Sequence, residues 1–288
     1  MKPVLRVEHL QKRYGSVTAV ADVCFEVAEG EIFGILGPNG AGKTTTVEAV
    51  QGLRSIDGGT VEVLGLHPGR DAVALRRMIG SQLQESALPD RIKVWEALDL
   101  FASLAPGGRD WSELLDEWGL QGKRDARFGS LSGGQQQRLF VALALVNAPR
   151  LVFLDEMTTG LDPASRRVAW DLVRCIRELG TTVVLVTHFM DEAEVLCDRL
   201  VVIDRGTVIA EGTPQGLVDE HDDGVRVRFE HDGDASWLAG IPHVRSVAGD
   251  RGQWEVRGDG PVLAHVAAAL VGRGIAPADL RADRATLE

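Results

Sequence analysis

The chain has 288 residues, of which 44% are hydrophobic and 25% charged, with 31 basic against 42 acidic side chains and a formal net charge of −11. These values are ordinary for a globular chain with a packed core, in one large domain or one large domain plus a small appendage. The acidic balance argues against a protein that lives on nucleic-acid backbones. Cys24, Cys175 and Cys197 are scattered without a C-x-x-C pair. They read as buried small apolar residues rather than a disulfide or zinc framework. The start, MKPVLRVEHLQKRYG, lacks the apolar run of a signal peptide, and the longest apolar run, LFVALALV, falls far short of the roughly 20 residues that span a bilayer. A cytosolic, soluble protein is expected, whose action at any membrane needs a partner.

The first 65 residues are strand-rich: VLRVEHL, ADVCFEVA, then EIFGILG running directly into GPNGAGKTT at 37–45. Gly37, Gly40, Gly42, Lys43 and Thr44 fit G-x-x-x-x-G-K-[ST], with Pro38, Asn39, Ala41 and Thr45 completing the loop between an apolar strand and a helix. Glycines let backbone N–H groups approach phosphates closely. Lys43 would neutralise the β- and γ-phosphates, and Thr44 would offer its hydroxyl to Mg²⁺. TVEVLG alternates as a half-buried strand, and from about Asp71 the chain reads as helical. DWSELLDEWGL carries Asp110 and Glu113 at capping-box spacing, with Trp111, Leu114, Leu115 and Trp118 on one face, a core-packing pattern.

LSGGQQQRLF, residues 131–140, places Ser132 to cap a helix opened by Gly133, Gly134 and Gln135. Free N–H groups at the positive end of a helix dipole suit an anion, yet the loop at 37–45 already supplies a stronger phosphate site. Beyond it LVFLDE ends a short apolar strand on Asp155, which can hold Mg²⁺ through its water shell, and Glu156, which can orient or deprotonate a water. The reaction implied is phosphoryl transfer from a nucleotide to water. DPASRRVAWDLVRCIRELG follows as a helix capped by Asp162, with Pro163 at its first position and Gly180 past its end. Next come the strand TTVVLVT, His188, a short helix through Val195, and the hairpin LVVIDRGTVIA. Alternating apolar strands and helices imply a parallel sheet covered on both faces. Near Val218 the texture changes: DEHDDG reads as a linker, followed by the strand VRVRF, a hairpin around AGDRG and the helix PVLAHVAAALVG, a small α+β tail without a cluster of catalytic residue types.

GPNGAGKTT, LSGGQ and LVFLDE, in that order and with Gln84 in QLQES, GLDP and VTHFMDEAE at matching places, resemble the Walker A, signature and Walker B motifs of the ATP-binding subunit of ABC transporters, over residues 4–218. The resemblance implies a P-loop NTPase of α/β class: a mixed or parallel sheet with an antiparallel β subdomain and a helical subdomain at about 85–150. This nucleotide-binding domain would fill residues 1–218, with a small α+β accessory domain at 219–288. It implies ATP and Mg²⁺ as cofactors, and a homodimer packed head to tail, with Ser132, Gly133, Gly134 and Gln135 of one copy facing the γ-phosphate bound by Lys43 of the other. A second anion site in one chain would thereby have its reason. Tyr14 would stack on adenine, Gln84 would touch Mg²⁺ or the attacking water, Glu156 would be the catalytic carboxylate, His188 would contact the γ-phosphate, and Asp162 would act across the dimer interface. Thr44 and Asp155 would serve the metal with Gln84. Met157 departs from the family's usual proline after the catalytic glutamate, which puts local turn geometry in question.

IGSQLQESALPDRIKVWEAL and the tail most resemble bacterial drug-export subunits of the daunorubicin-resistance kind, which pair with separate membrane permeases of the ABC-2 type. Residues 85–129 would then carry the groove for the permease's coupling helix, at the inner face of the cell membrane. An import ATPase and a soluble ABC ATPase without a permease are the competing readings. Nucleic acid is not an expected partner, and no residue of the chain reads the transported compound.

Overall fold

The computed structural model describes residues 3–82, 87–105, 107–221, 225–250 and 252–283. The chain divides into two compact units, Met1–Pro214 and Gln215–Glu288. Among the described residues the first is built on a nine-stranded sheet of order β4-β1-β2-β9-β8-β3-β7-β6-β5. Its strands are β1 (Leu5–Tyr14), β2 (Val17–Val27), β3 (Ile32–Leu36), β4 (Gly58–Val63), β5 (Ile79–Gln82), β6 (Leu151–Asp155), β7 (Thr182–Thr187), β8 (Arg199–Asp204) and β9 (Thr207–Gly212). Its helices are α1 (Lys43–Val50), α2 (Ala72–Arg76), α3 (Val94–Leu104), α4 (Trp111–Glu117), α5 (Gly133–Leu145), α6 (Pro163–Glu178) and α7 (Met190–Leu196).

The sheet is mixed. β1 pairs antiparallel with β2 and β4, and β8 with β9. The strands β8-β3-β7-β6-β5 run parallel. The two kinds of strand differ as their environment demands. β1 alternates buried and exposed positions, whereas β3, β6 and β7 are buried at every residue. A central parallel strand covered on both faces is near-continuously apolar, and here only the strand ends Asp155, Thr182 and Thr187 are polar. Phe33, Ile35, Phe153, Val184 and Val201 form the heart of this core, joined by Val47 and Val50 of α1.

Three sequence expectations are corrected. The stretch after Asp71 is not simply helical, because Ile79–Gln82 forms β5 beside β6. Four residues are too short for periodicity to separate strand from helix. The segment read as a linker after Val218 begins as helix: α8 runs Pro214–His221 and takes in its first three residues. Of the cysteines, all free, only Cys197 is buried. Cys24 is half-buried and Cys175 exposed.

In the second unit β10 (Val225–Glu230), β11 (Val244–Asp250), β12 (Gln253–Gly258) and β13 (Arg281–Asp283) form an antiparallel sheet of order β11-β12-β10-β13, with helix α9 (Val262–Gly272). Val227, Phe229, Val256, Val262, Val266 and Leu270 make a separate core.

β5 lies close to α5 because residue 80 is glycine. A Cβ there would stand 2.0 Å from the carbonyl oxygen of Ala144, far inside contact distance. Gly80→Ala is therefore expected to destabilise the chain by about 1–3 kcal/mol through overpacking, seen as a lower urea midpoint with an unchanged slope. An unchanged midpoint would mean that α5 has room to shift.

Candidate functional site

Three parallel strand ends build the site. In the registers of β7 with β3 and β6, Leu36 stands beside Thr187, and Asp155 beside Val186. The loop after Leu36, the acidic pair at 155–156 and His188 after Thr187 thus leave the sheet side by side. Ligands of open parallel sheets sit at this carboxyl edge.

The loop Gly37–Gly42 is shaped by close approach. Gly42, at φ 104°, occupies the cap position of α1, and a Cβ on it would lie 2.4 Å from the Ala19 carbonyl oxygen. Only glycine fits there. Pro38, Asn39 and Gly40 are exposed, Ala41 is buried, and Thr44 and Thr45 are half-buried at the start of α1. Lys43 is buried, its Nζ donating to the carbonyls of Gly37 (2.8 Å) and Pro38 (3.1 Å). Burial lowers its pKa, opposed by the charges of Glu156 and Asp155.

Asp155 closes β6 and is buried, with no hydrogen-bond partner for Oδ1 among the described residues. Desolvation, with Glu156 next to it, pushes its pKa up to about 6, while Lys43 and the Thr44 hydroxyl pull the other way. A buried carboxylate oxygen without a donor, beside a threonine hydroxyl and a lysine, fits a hydrated divalent cation. Glu156 turns out of the strand at φ 48°, a left-handed conformation that non-glycine residues adopt only under constraint. Its N–H is held by the Val186 carbonyl at 2.9 Å. Its Oε1 lies 3.2 Å from His188 Nδ1, and its Oε2 lies 3.5 Å from the Thr159 hydroxyl. Met157, the departure from the family's usual proline, is buried.

Ser132 caps α5, and Gln135 returns its side-chain oxygen to the Ser132 N–H at 3.1 Å. Gly133 and Gly134 need no left-handed backbone. A Cβ on Gly134 would meet nothing within 4 Å, and one on Gly133 only the tip of Leu161, at 3.8 Å. Local packing therefore gives no reason for either glycine. Asp162 caps α6, accepting from Ala164 N (2.9 Å), Ser165 N (3.1 Å) and the Ser165 hydroxyl (2.5 Å), and these bonds hold its pKa down. Tyr14 ends β1 exposed, with Lys12 Nζ and the Arg54 guanidinium each 5.6 Å from its ring centre. Gln84 lies outside the described residues.

Two buried groups that sequence reading passed over join this frame. Gln82, the last residue of β5, accepts a hydrogen bond from Gln137 Nε2 of α5 at 3.1 Å. Glu192, one turn past His188, is wholly buried and accepts from the Trp170 indole of α6 at 3.1 Å. Burial raises its pKa, against the nearby Thr187 and Thr158 hydroxyls, the Trp170 hydrogen bond and the charge of Arg166. The signal was present in VTHFMDEAE as an acidic residue on the inward face of a short helix, but the face is set by tertiary packing.

The profile of the ABC transporter family matches residues 20–159. The Nod factor export ATP-binding protein I of Mesorhizobium japonicum is 42% identical over 243 residues, covering 82% of this chain and 71% of that protein. The protein of the same name from Ralstonia nicotianae is 42% identical over 221 residues, covering 75% and 69%. Among solved structures, cbiO1 from Clostridium perfringens, part of the ABC transporter complex cbiONQ, aligns with a TM-score of 0.69 at 27% identity, over 77% of this chain and 92% of that one. The dimeric structure of MJ0796, a bacterial ABC transporter cassette, aligns with a TM-score of 0.65 at 27% identity, over 73% and 98%.

The folded pKa of Glu192 lies above its unfolded value of 4.5. Its neutral form therefore suits the fold, and stability is lost as pH rises through the folded pKa. Glu192→Gln keeps the shape and an acceptor for Trp170 but does not ionise. Its melting temperature relative to the parent chain is expected to rise from pH 5 to pH 8. A difference independent of pH would show that Glu192 is ionised throughout. Glu192→Ala, which leaves the indole N–H without its acceptor, is expected to cost about 1–3 kcal/mol.

Proposed function

The chain belongs to the ABC transporter family, as an ATP-binding subunit, and from that premise we propose that it hydrolyses ATP with Mg²⁺ between two head-to-tail copies to drive export through a separate permease. The open space over Gly133 and Gly134 carries the dimer reading. A capped helix start stripped of side chains is useful where an anion held by another molecule must come close. Each ATP would lie against Gly37–Thr45 of one copy and Ser132–Gln135 of the other, with Tyr14 against the adenine and Asp162 at the interface.

Thr44 and Asp155 would hold Mg²⁺, with Gln84 reaching the same ion or the attacking water, and the ion would supply charge compensation for the phosphates. Lys43 would turn its ammonium from the loop carbonyls toward the β- and γ-phosphates. Glu156 would take the proton of the attacking water. Its strained turn and its hydrogen bond to His188 fix the carboxylate, and His188, held in turn, would also reach the γ-phosphate.

Export rather than import is supported by the relatives, which are named for export. Among the described residues no helix is long and apolar enough to cross a membrane, so the reading includes a permease, which we take to be of the ABC-2 type, with the chain held at the inner face of the membrane. A cavity of about 660 Å³ between the α2–β5 region and the ends of α3 and α5, lined by Val73, Arg77, Ile79, Phe101, Leu104 and Val146, suits a helix of that partner. Val73 and Leu104 are 69% and 74% exposed there, apolar surface that a partner would cover. Residues 1–218 would act as the nucleotide-binding domain, with residues 219–288 as its accessory domain.

Glu156→Gln is expected to lower ATP turnover by at least about 100-fold while ATP is still bound, and to accumulate an ATP-held dimer in analytical ultracentrifugation. Gly134→Arg is expected to abolish turnover and dimerisation with an unchanged melting temperature. A fully active Gly134→Arg variant would refute the head-to-tail site.

A further inference from the structure

On the antiparallel part of the sheet, away from the strand ends just described, a β-bulge gathers three metal-ligating side chains. The β1–β2 register pairs Val7 with Phe25 and then Leu10 with Val23. Glu8 and His9 on one strand therefore face Cys24 alone on the other. Such an extra residue bends the strand and re-aims a side chain. His9 takes the strain at φ 50°. The neighbouring strand makes room for the bulge with a glycine: a Cβ on Gly59, itself at φ 83°, would stand 2.3 Å from the His9 carbonyl oxygen and 2.4 Å from that of Glu8.

The bulge brings His9 to the face of β2 that carries Asp22 and Cys24, two residues apart and so on the same side of the strand. His9 Nδ1 lies 3.0 Å from Asp22 Oδ1 and 3.7 Å from Cys24 Sγ, and Sγ lies 3.9 Å from Asp22 Oδ1. Nitrogen, oxygen and sulfur donors bound tetrahedrally to zinc at about 2.0–2.3 Å stand roughly 3.3–3.7 Å apart. The triangle formed by these three atoms matches that spacing to within about 0.4 Å on every edge. The His9 backbone N–H points at Cys24 Sγ at 3.0 Å, a donor that would stabilise a thiolate at the same place.

We propose that His9, Asp22 and Cys24 bind one divalent transition-metal ion of the zinc type. Imidazole with thiolate favours zinc over the oxygen-seeking magnesium and calcium. The His9 and Asp22 side chains are 75% and 53% exposed, so the fourth position is open to water. Binding releases the Cys24 thiol proton to solvent and forms one bond each to nitrogen, oxygen and sulfur. The ion would lock the bulge and tie β1 to β2. The inference is independent of the ATP site.

The test uses the full chain, stripped with a chelator and titrated with Zn²⁺ by calorimetry in magnesium-free buffer. One site is expected, weakened about 100-fold or more in His9→Ala and in Cys24→Ser, a loss at or above that seen when even supporting groups of metal sites are removed. It is expected to persist in Asp155→Asn, which separates it from the nucleotide site. Cobalt(II) should give a thiolate-to-metal charge-transfer band that Cys24→Ser abolishes. His9 and Asp22 are exposed and Cys24 is half-buried, and unchanged circular dichroism of each variant would confirm its fold. Absence of stoichiometric binding, equal affinity in the parent chain and Cys24→Ser, or a cobalt complex without the thiolate band would each overturn the proposal.

Discussion

The register of three parallel strands is the constraint on which the site depends. β7 lies between β3 and β6, so Leu36, Thr187 and Asp155 finish at one edge. From that edge the glycine loop, His188 and the Asp155–Glu156 pair leave the sheet together, although residues 36 and 187 are 151 positions apart in the chain. Shifting one strand by a single residue would exchange its two faces. It would also carry the carboxylates out of reach of Lys43. Because these strands are buried along their whole length, such a slip would misfit close-packed side chains on both faces and is strongly opposed.

That edge concentrates charge where water is scarce. Lys43, Asp155 and Glu156 are drawn together in a part of the fold where isolated ions are costly. The opposed pKa shifts record the tension: the ammonium is lowered and Asp155 is raised by loss of solvent, and each partly relieves the other. The backbone shares in it, since Glu156 keeps a left-handed conformation against the Val186 carbonyl. Strain and buried charge of this kind persist where the surrounding structure over-determines them, which is characteristic of functional sites.

The supporting shell reaches further than the motifs. Glu192 and Trp170 join α7 to α6 behind His188, and Gln82 with Gln137 joins β5 to the helix that Ser132 caps. The first contact ties the helix after His188 to the helix that Asp162 caps, and the second ties a strand end to the helix that Ser132 caps. A second sheet, with a core of its own, makes up the unit after Pro214.

The sequence by itself determined what depends on neighbours along the chain. The glycine loop, the Ser132 and Asp162 caps, the apolar strand before Asp155 and the α6 helix with Pro163 first are local patterns, because a turn, a cap or a buried strand is decided within a few residues. The likeness of the ordered motifs to the ABC family was legible for the same reason. What joins distant segments was decided only by the tertiary structure. The Glu156–His188 hydrogen bond spans 32 positions, β5 is a strand because β6 lies beside it, Glu192 is buried because α6 covers it, and the bulge that turns His9 toward Cys24 is defined only by pairing. Composition and periodicity report which face of an element is apolar. They do not report which other element will meet that face, because that choice is made by the packing of the whole chain.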